Sequence, residues 1–98
     1  MTENLPGLKE DVVTNIEEEV TEPPMFKVLL HNDDVNEVGY VVETIMALTT
    51  LRRQEAVLRM LEAHHRGLSM LLTTHREHAE LLVEQFASKR LTVTAEPE

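Results

Sequence analysis

The sequence predicts an α+β domain built as a two-layer sandwich in the order β-α-α-β-α-β. A three-stranded antiparallel sheet carries three helices packed on one face. Three observations predict it. Short apolar or alternating runs occur near residues 25–31, 68–74 and 91–95. Apolar residues at helical spacing fill the three stretches between 38 and 88. Polar, capping or glycine-containing junctions separate these segments.

The first run, "MFKVLLH" (Met25–His31), is apolar and partly β-branched, as a strand requires. From Val38 the apolar residues fall at Val38, Val41, Val42, Ile45, Met46 and Leu48, the i, i+3, i+4, i+7 pattern of an amphipathic helix. Thr49-Thr50 breaks this helix and is placed to cap the next. The second helix carries Ala56, Val57, Met60, Leu61 and His64 on one face and stops at Gly67. "LSMLLTT" (Leu68–Thr74) reads as the second strand. Thr74 and Glu77 form a T-x-x-E capping box that opens a third helix, whose apolar face is Ala79, Leu82, Val83 and Phe86. "LTVTA" (Leu91–Ala95) alternates at period two and closes the domain.

Charge divides the chain unevenly. Residues 1–24 hold seven acids against Lys9, whereas residues 25–98 hold eleven acids against eight basic residues. Residues 1–22 lack a sustained pattern and run into Pro23-Pro24, so a mobile acidic arm (1–22) is expected ahead of one folded domain (23–98). With only Phe26, Phe86 and Tyr40 aromatic, the core must be aliphatic and methionine-rich. The absence of cysteine excludes disulfides, thiolate nucleophiles and cysteine-ligated zinc. A net charge of -9 argues against a nucleic-acid partner. No apolar run reaches membrane-span length and "MTENLPGLKED" has no signal-peptide pattern, so no membrane association and a cytoplasmic location are expected.

Five histidines invite a metal or enzyme reading. His75 and His78 share a helix face, but no third ligand stands at a motif-like spacing, so neither a metal nor a cofactor is expected. His31 or His64 beside Asp33 or Asp34 supplies a base, yet no serine or cysteine motif completes a catalytic set, and the chain is not expected to be an enzyme. The turn "HNDDVNE" (His31–Glu37) is different. Its acceptors can cap the following helix or receive a cation. If the first two helices pack side by side, His64 comes near Asn32, Asp33 and Asp34. An apolar recess lined by Val38, Val41, Met60 and Ala63 then lies beside them. That pairing suits a cationic amine attached to an apolar side chain. On spacing alone, a core histidine beside ordinary packing is the simpler arrangement.

The elements "PPMFKVLLHNDD", "YVVETIMAL", "AVLRMLEAHHRG" and "THREHAELLVEQ", in this order, resemble the ClpS family of protease adaptors over about residues 23–96. The resemblance implies an adaptor that binds the free, bulky apolar N-terminal residue of a substrate protein, an N-degron. It delivers that substrate to a ClpA- or ClpC-like AAA+ unfoldase through the unfoldase's N-terminal domain. Carried across, Asn32, Asp33, Asp34 and His64 match the positions that hold the substrate's α-amino group. Asn36, Val38, Val41, Met60, Ala63 and Leu91 match the side-chain pocket, Asn36 standing where Thr is frequent. Glu77 matches a position on the unfoldase-docking face. Val38 in place of Met and Ala63 in place of Val imply a roomier pocket that also admits Ile and Val. Leu82 stands where many members carry Lys on the docking face. The rival implied by the same resemblance is a paralogue that docks on the unfoldase and regulates substrate choice with a lost or altered pocket.

Overall fold

The computed structural model describes residues 24–98; the acidic arm, residues 1–22, lies outside the described residues. Three strands and three helices follow in the expected order: β1 (Met25–His31), α1 (Val38–Leu48), α2 (Arg53–Arg66), β2 (Leu68–His75), α3 (Arg76–Ser88) and β3 (Val93–Pro97). β1 is central, with β2 and β3 antiparallel on either side. The central position falls to the strand richest in buried aliphatic residues: Val28, Leu29 and Leu30 are all buried. A bulge shifts the β1–β2 register, so that Val28 faces Leu72 while Leu29 faces Met70. The extra residue, Leu71, is itself buried in the core.

One apolar core joins the layers. Val28, Leu30, Leu71 and Val93 from the sheet meet Val41, Val42 and Ile45 of α1, Ala56 and Ala63 of α2, and Ala79, Leu82 and Phe86 of α3. α3 packs across all three strands, while α2 covers β1 and β2 and α1 lies against both other helices. The α2 face is narrower than its sequence pattern implies. Ala56 and Ala63 are buried, Val57 and Met60 are half-buried, and Leu61 is exposed.

The junctions depart from the expected caps. Thr49 closes α1, its hydroxyl donating to the Ile45 carbonyl at 2.6 Å. α2 is opened by Arg52, whose backbone N–H donates to the Glu55 carboxylate at 3.1 Å, and not by Thr50. Thr74 remains in β2, paired with Phe26, and its hydroxyl lies 3.0 Å from His78 Nδ1. His75 therefore occupies the N-cap of α3, and the expected Thr74–Glu77 box does not form. Leu91 and Thr92 belong to the turn after α3, since β3 begins at Val93.

Gly67 ends α2 at φ 88°, in the left-handed region open to glycine at little cost. Its carbonyl receives the Asn32 N–H at 3.1 Å. This bond ties the polar turn after β1 to the end of α2, one helical turn beyond His64.

Candidate functional site

β1, α1 and α2 converge on a recess lined by Leu30, His31, Asn32, Asp33, Asn36, Val38, Val41, Met60, Ala63 and His64. Its floor is set by the core. Leu30, Val41 and Ala63 are buried, Ala63 to 2% exposure. Its mouth is open, with Val38 59% exposed and His64 at the surface. The cavity between them measures about 20 Å³, room for about one water molecule.

The polar rim is organised around Asp33. Its Oδ1 accepts the backbone N–H groups of Val35 at 2.7 Å and Asn36 at 2.8 Å, and its Oδ2 accepts the Asn36 carboxamide at 2.7 Å. Burial pushes the carboxyl pKa up, but the Asn36 side-chain bond and the two backbone bonds outweigh that effect. The net result is a pKa below the ordinary value. Asp33 is thus held as an anion, with three of its roughly four acceptor positions filled. Asn32 donates its carboxamide to Asp34 Oδ1 at 3.1 Å, which leaves Asn32 Oδ1 without a hydrogen-bond partner among the described residues.

These bonds correct one expectation about the turn. Asp33 turns the loop back on itself, but it does not cap α1. The N-cap is Glu37, which makes no side-chain capping bond. The Asp33 acceptors are committed within the loop.

The recess gathers Asn32, Asp33, His64, Asn36, Val38, Val41, Met60 and Ala63. Two expected members lie elsewhere. Asp34 lines an adjoining groove with Val35, Arg90 and Thr92, one that also takes in Asn32, Asp33 and Asn36. Leu91 is buried in the core, 2% exposed, and does not line the recess. Glu77 is exposed on α3, along an open groove with His78, Glu80, Leu81 and Glu84. Leu30 and His31 line the recess without having been assigned to it. The signal for them was their place at the end of β1, directly before the polar turn. His31 Nε2 lies 2.8 Å from the Thr94 hydroxyl of β3. No three His, Asp or Glu side chains among the described residues stand close enough together to hold a metal. No helix among them is long and apolar enough to cross a membrane.

The sequence profile of the family described as ATP-dependent Clp protease adaptor protein ClpS matches residues 21–94. An ATP-dependent Clp protease adapter protein ClpS from Synechococcus sp. (strain CC9902) is 43% identical over 76 residues, covering 76% of this chain and 73% of that one. The chloroplastic adapter CLPS1 of Chlamydomonas reinhardtii is 32% identical over 93 residues, covering 94% of this chain and 57% of its own. Agrobacterium tumefaciens ClpS2, solved bound to L-phenylalaninamide, superposes with a TM-score of 0.73 at 26% identity, over 79% of this chain and all of that one.

Proposed function

Because the chain belongs to the ClpS family of ATP-dependent Clp protease adaptors, we propose that its recess binds the free, bulky apolar N-terminal residue of substrate proteins. The chain then delivers them to a ClpA- or ClpC-like AAA+ unfoldase in the cytoplasm. The observation that carries this reading is the pairing of Asn32, Asp33 and His64 with an apolar floor of Leu30, Val41, Met60 and Ala63. A free α-amino group has a pKa of about 7.7–8.0 and is largely an ammonium at neutral pH. It offers three N–H donors. The Asn32 carboxamide oxygen, the ionised Asp33 carboxylate and a His64 imidazole nitrogen supply three acceptors at one end of the recess. The side chain enters the apolar part. L-Phenylalaninamide, held by the Agrobacterium relative, combines the same two features. Asp34 acts from beside the recess, orienting Asn32 through their hydrogen bond. Glu77 serves the unfoldase contact from α3.

The test compares a Leu-initiated peptide with its N-acetylated twin by fluorescence anisotropy. Acetylation removes the charge and the donors. With about 1.5–3 kcal/mol per charge-assisted bond, loss of two bonds should weaken binding by roughly a hundredfold or more. Equal binding of the two peptides would overturn the reading.

The small cavity favours a second reading, a paralogue that docks on the unfoldase and regulates substrate choice with an altered pocket. It requires that neither peptide bind while the unfoldase N-terminal domain still does. Residues 1–22 are assigned to delivery. Chains starting at residue 1 and at residue 23 should bind peptide alike, and only the longer one should support degradation of an N-degron substrate.

A further inference from the structure

We propose that Asn36 is a positioning residue that clasps Asp33 to the turn after α3 and thereby fixes the carboxylate that receives the substrate's ammonium. The inference rests on the proposed N-degron site and adds to it a contact outside the recess.

The clasp uses both carboxamide hydrogens. Asn36 Nδ2 donates to Asp33 Oδ2 at 2.7 Å and to the Arg90 carbonyl at 2.9 Å. The second partner is presented by an unusual turn. The Arg90 N–H donates to the Ala87 carbonyl, and the Leu91 N–H to the Phe86 carbonyl, the paired bonds of a Schellman closure of α3. The residue at its left-handed position is normally glycine, but here it is Arg90, at φ 67°. One residue earlier, the Lys89 carbonyl receives the Tyr40 hydroxyl at 2.9 Å. Two successive carbonyls of this turn thus take donors from the β1–α1 loop and from α1. Leu91, fully buried, anchors the turn to the core. The Asp33 loop is therefore tied at both ends, through Asn32 to Gly67 of α2 and through Asn36 to Arg90.

Residue type decides this. A hydroxyl at position 36 has one hydrogen to donate and reaches either Asp33 or Arg90, not both. Alanine donates to neither. In both cases Asp33 Oδ2 loses a donor or the loop loses its tether. The charged and titratable groups around Asp33 are Asp34 in its own loop, His31 at the end of β1, His64 at the end of α2 and Arg90 in the α3–β3 turn. None of these makes a hydrogen bond to Asp33; its three donors come from Val35 and Asn36. The Asn36 side-chain bond is also the largest of the influences that lower the Asp33 pKa.

Two measurements on wild type, Asn36→Ala, Asn36→Thr, Asp33→Asn and the Asn36→Ala/Asp33→Asn double variant test the assignment. In the peptide-free protein, carboxyl ¹³C NMR should show the Asp33 titration midpoint rising in Asn36→Ala and rising less in Asn36→Thr. With a Leu-initiated peptide, Asn36→Ala should weaken binding by about tenfold or more, the worth of one hydrogen bond to a charged group. The same change in the Asp33→Asn background should cost much less. An unmoved Asp33 midpoint, or an equal loss of affinity with and without the Asp33 carboxylate, overturns the inference. Should Asn36→Ala fail to fold, Asn36→Thr carries both readouts. Wild type that binds no free-amino peptide fells the site itself. Wild type that binds, with Asn36→Ala indistinguishable from it, fells the clasp alone.

Discussion

Ala63→Val is the perturbation that most directly asks whether the small cavity is the substrate pocket. Ala63 is 2% exposed, sits on the inner face of α2 and borders a cavity of about 20 Å³. Valine adds two methyl groups, each close in size to a water molecule, whose share of liquid volume is ~30 Å³. One fits the existing space and the other does not. The methyl that fits gains about 0.8 kcal/mol of burial, whereas the excess costs about 1–3 kcal/mol through displaced neighbours. A β-branched residue in a helix interior adds a further few tenths of a kcal/mol. The fold should therefore lose roughly 1–2 kcal/mol and survive. Binding should change in selectivity. By the family resemblance Val is frequent at this position, so a Leu side chain should still enter, but the narrowed wall crowds a side chain that branches at Cβ. A methylene-sized misfit in an apolar pocket is worth about 1–3 kcal/mol, so affinity for an Ile-initiated peptide should fall roughly 5- to 150-fold relative to a Leu-initiated one. Urea denaturation gives the stability and fluorescence anisotropy the affinities. If Ala63→Val leaves the Leu-over-Ile ratio unchanged, the side chain enters elsewhere and this reasoning fails.

Four further outcomes are expected. His64→Ala should weaken binding of a Leu-initiated peptide by about tenfold or more, the worth of one hydrogen bond to a charged group, read by anisotropy; unchanged affinity excludes His64. Val38→Met, at an exposed mouth position, should fold normally and sharpen discrimination of Leu over Ile N-termini by about 1–3 kcal/mol, measured by anisotropy. Arg90→Gly should relieve the left-handed backbone and raise stability by about 0.5–1 kcal/mol. That is a melting-temperature gain of roughly 2–8 °C for a domain of this size, and a loss would show that the Arg90 side chain outweighs the strain. Asp33 has a lowered folded-state pKa, so its stabilisation is complete above the unfolded value of about 3.9 and fades as pH falls toward the folded value. The stability gap between wild type and Asp33→Asn, read by urea denaturation, should accordingly narrow below about pH 4.

The architecture was legible because its signals are periodic. Val41, Val42 and Ile45, or Ala79, Leu82 and Phe86, can share a face only on a helix, and all six are buried. The junctions were less so, because cap motifs are short and tertiary pairing overrides them. Thr74 has the spacing of a capping residue, but pairing with Phe26 extends β2 through His75 and takes the cap position away. Leu91 has the alternation of a strand residue, yet the two Schellman bonds at the end of α3 delay β3 to Val93. That delay also turns Leu91 into the core and away from the recess.

The site divides along the same physical line. Residues whose position follows from an element's face came together as the pattern implied: Val38 and Val41 on α1, and Met60, Ala63 and His64 on α2. Residues in the loop did not sort by spacing, because a loop's geometry is set by which acceptor each donor finds. Asn32, Asp33 and Asp34 are consecutive and chemically alike, yet they do three different things. Asn32 bonds through its backbone to Gly67 and through its side chain to Asp34, Asp33 gathers three donors, and Asp34 lines the adjoining groove but not the recess. The partner that separates their roles, the Arg90 carbonyl, lies 54 residues from Asn36 along the chain. It is exposed to that carboxamide only because Arg90 adopts a left-handed conformation that its residue type does not announce. A triplet that reads as turn chemistry in sequence is held by contacts made at both ends of its loop, the Asn32 N–H on the Gly67 carbonyl and the Asn36 carboxamide on the Arg90 carbonyl. Under the proposed function, those contacts fix the direction in which the Asp33 carboxylate meets the substrate's ammonium.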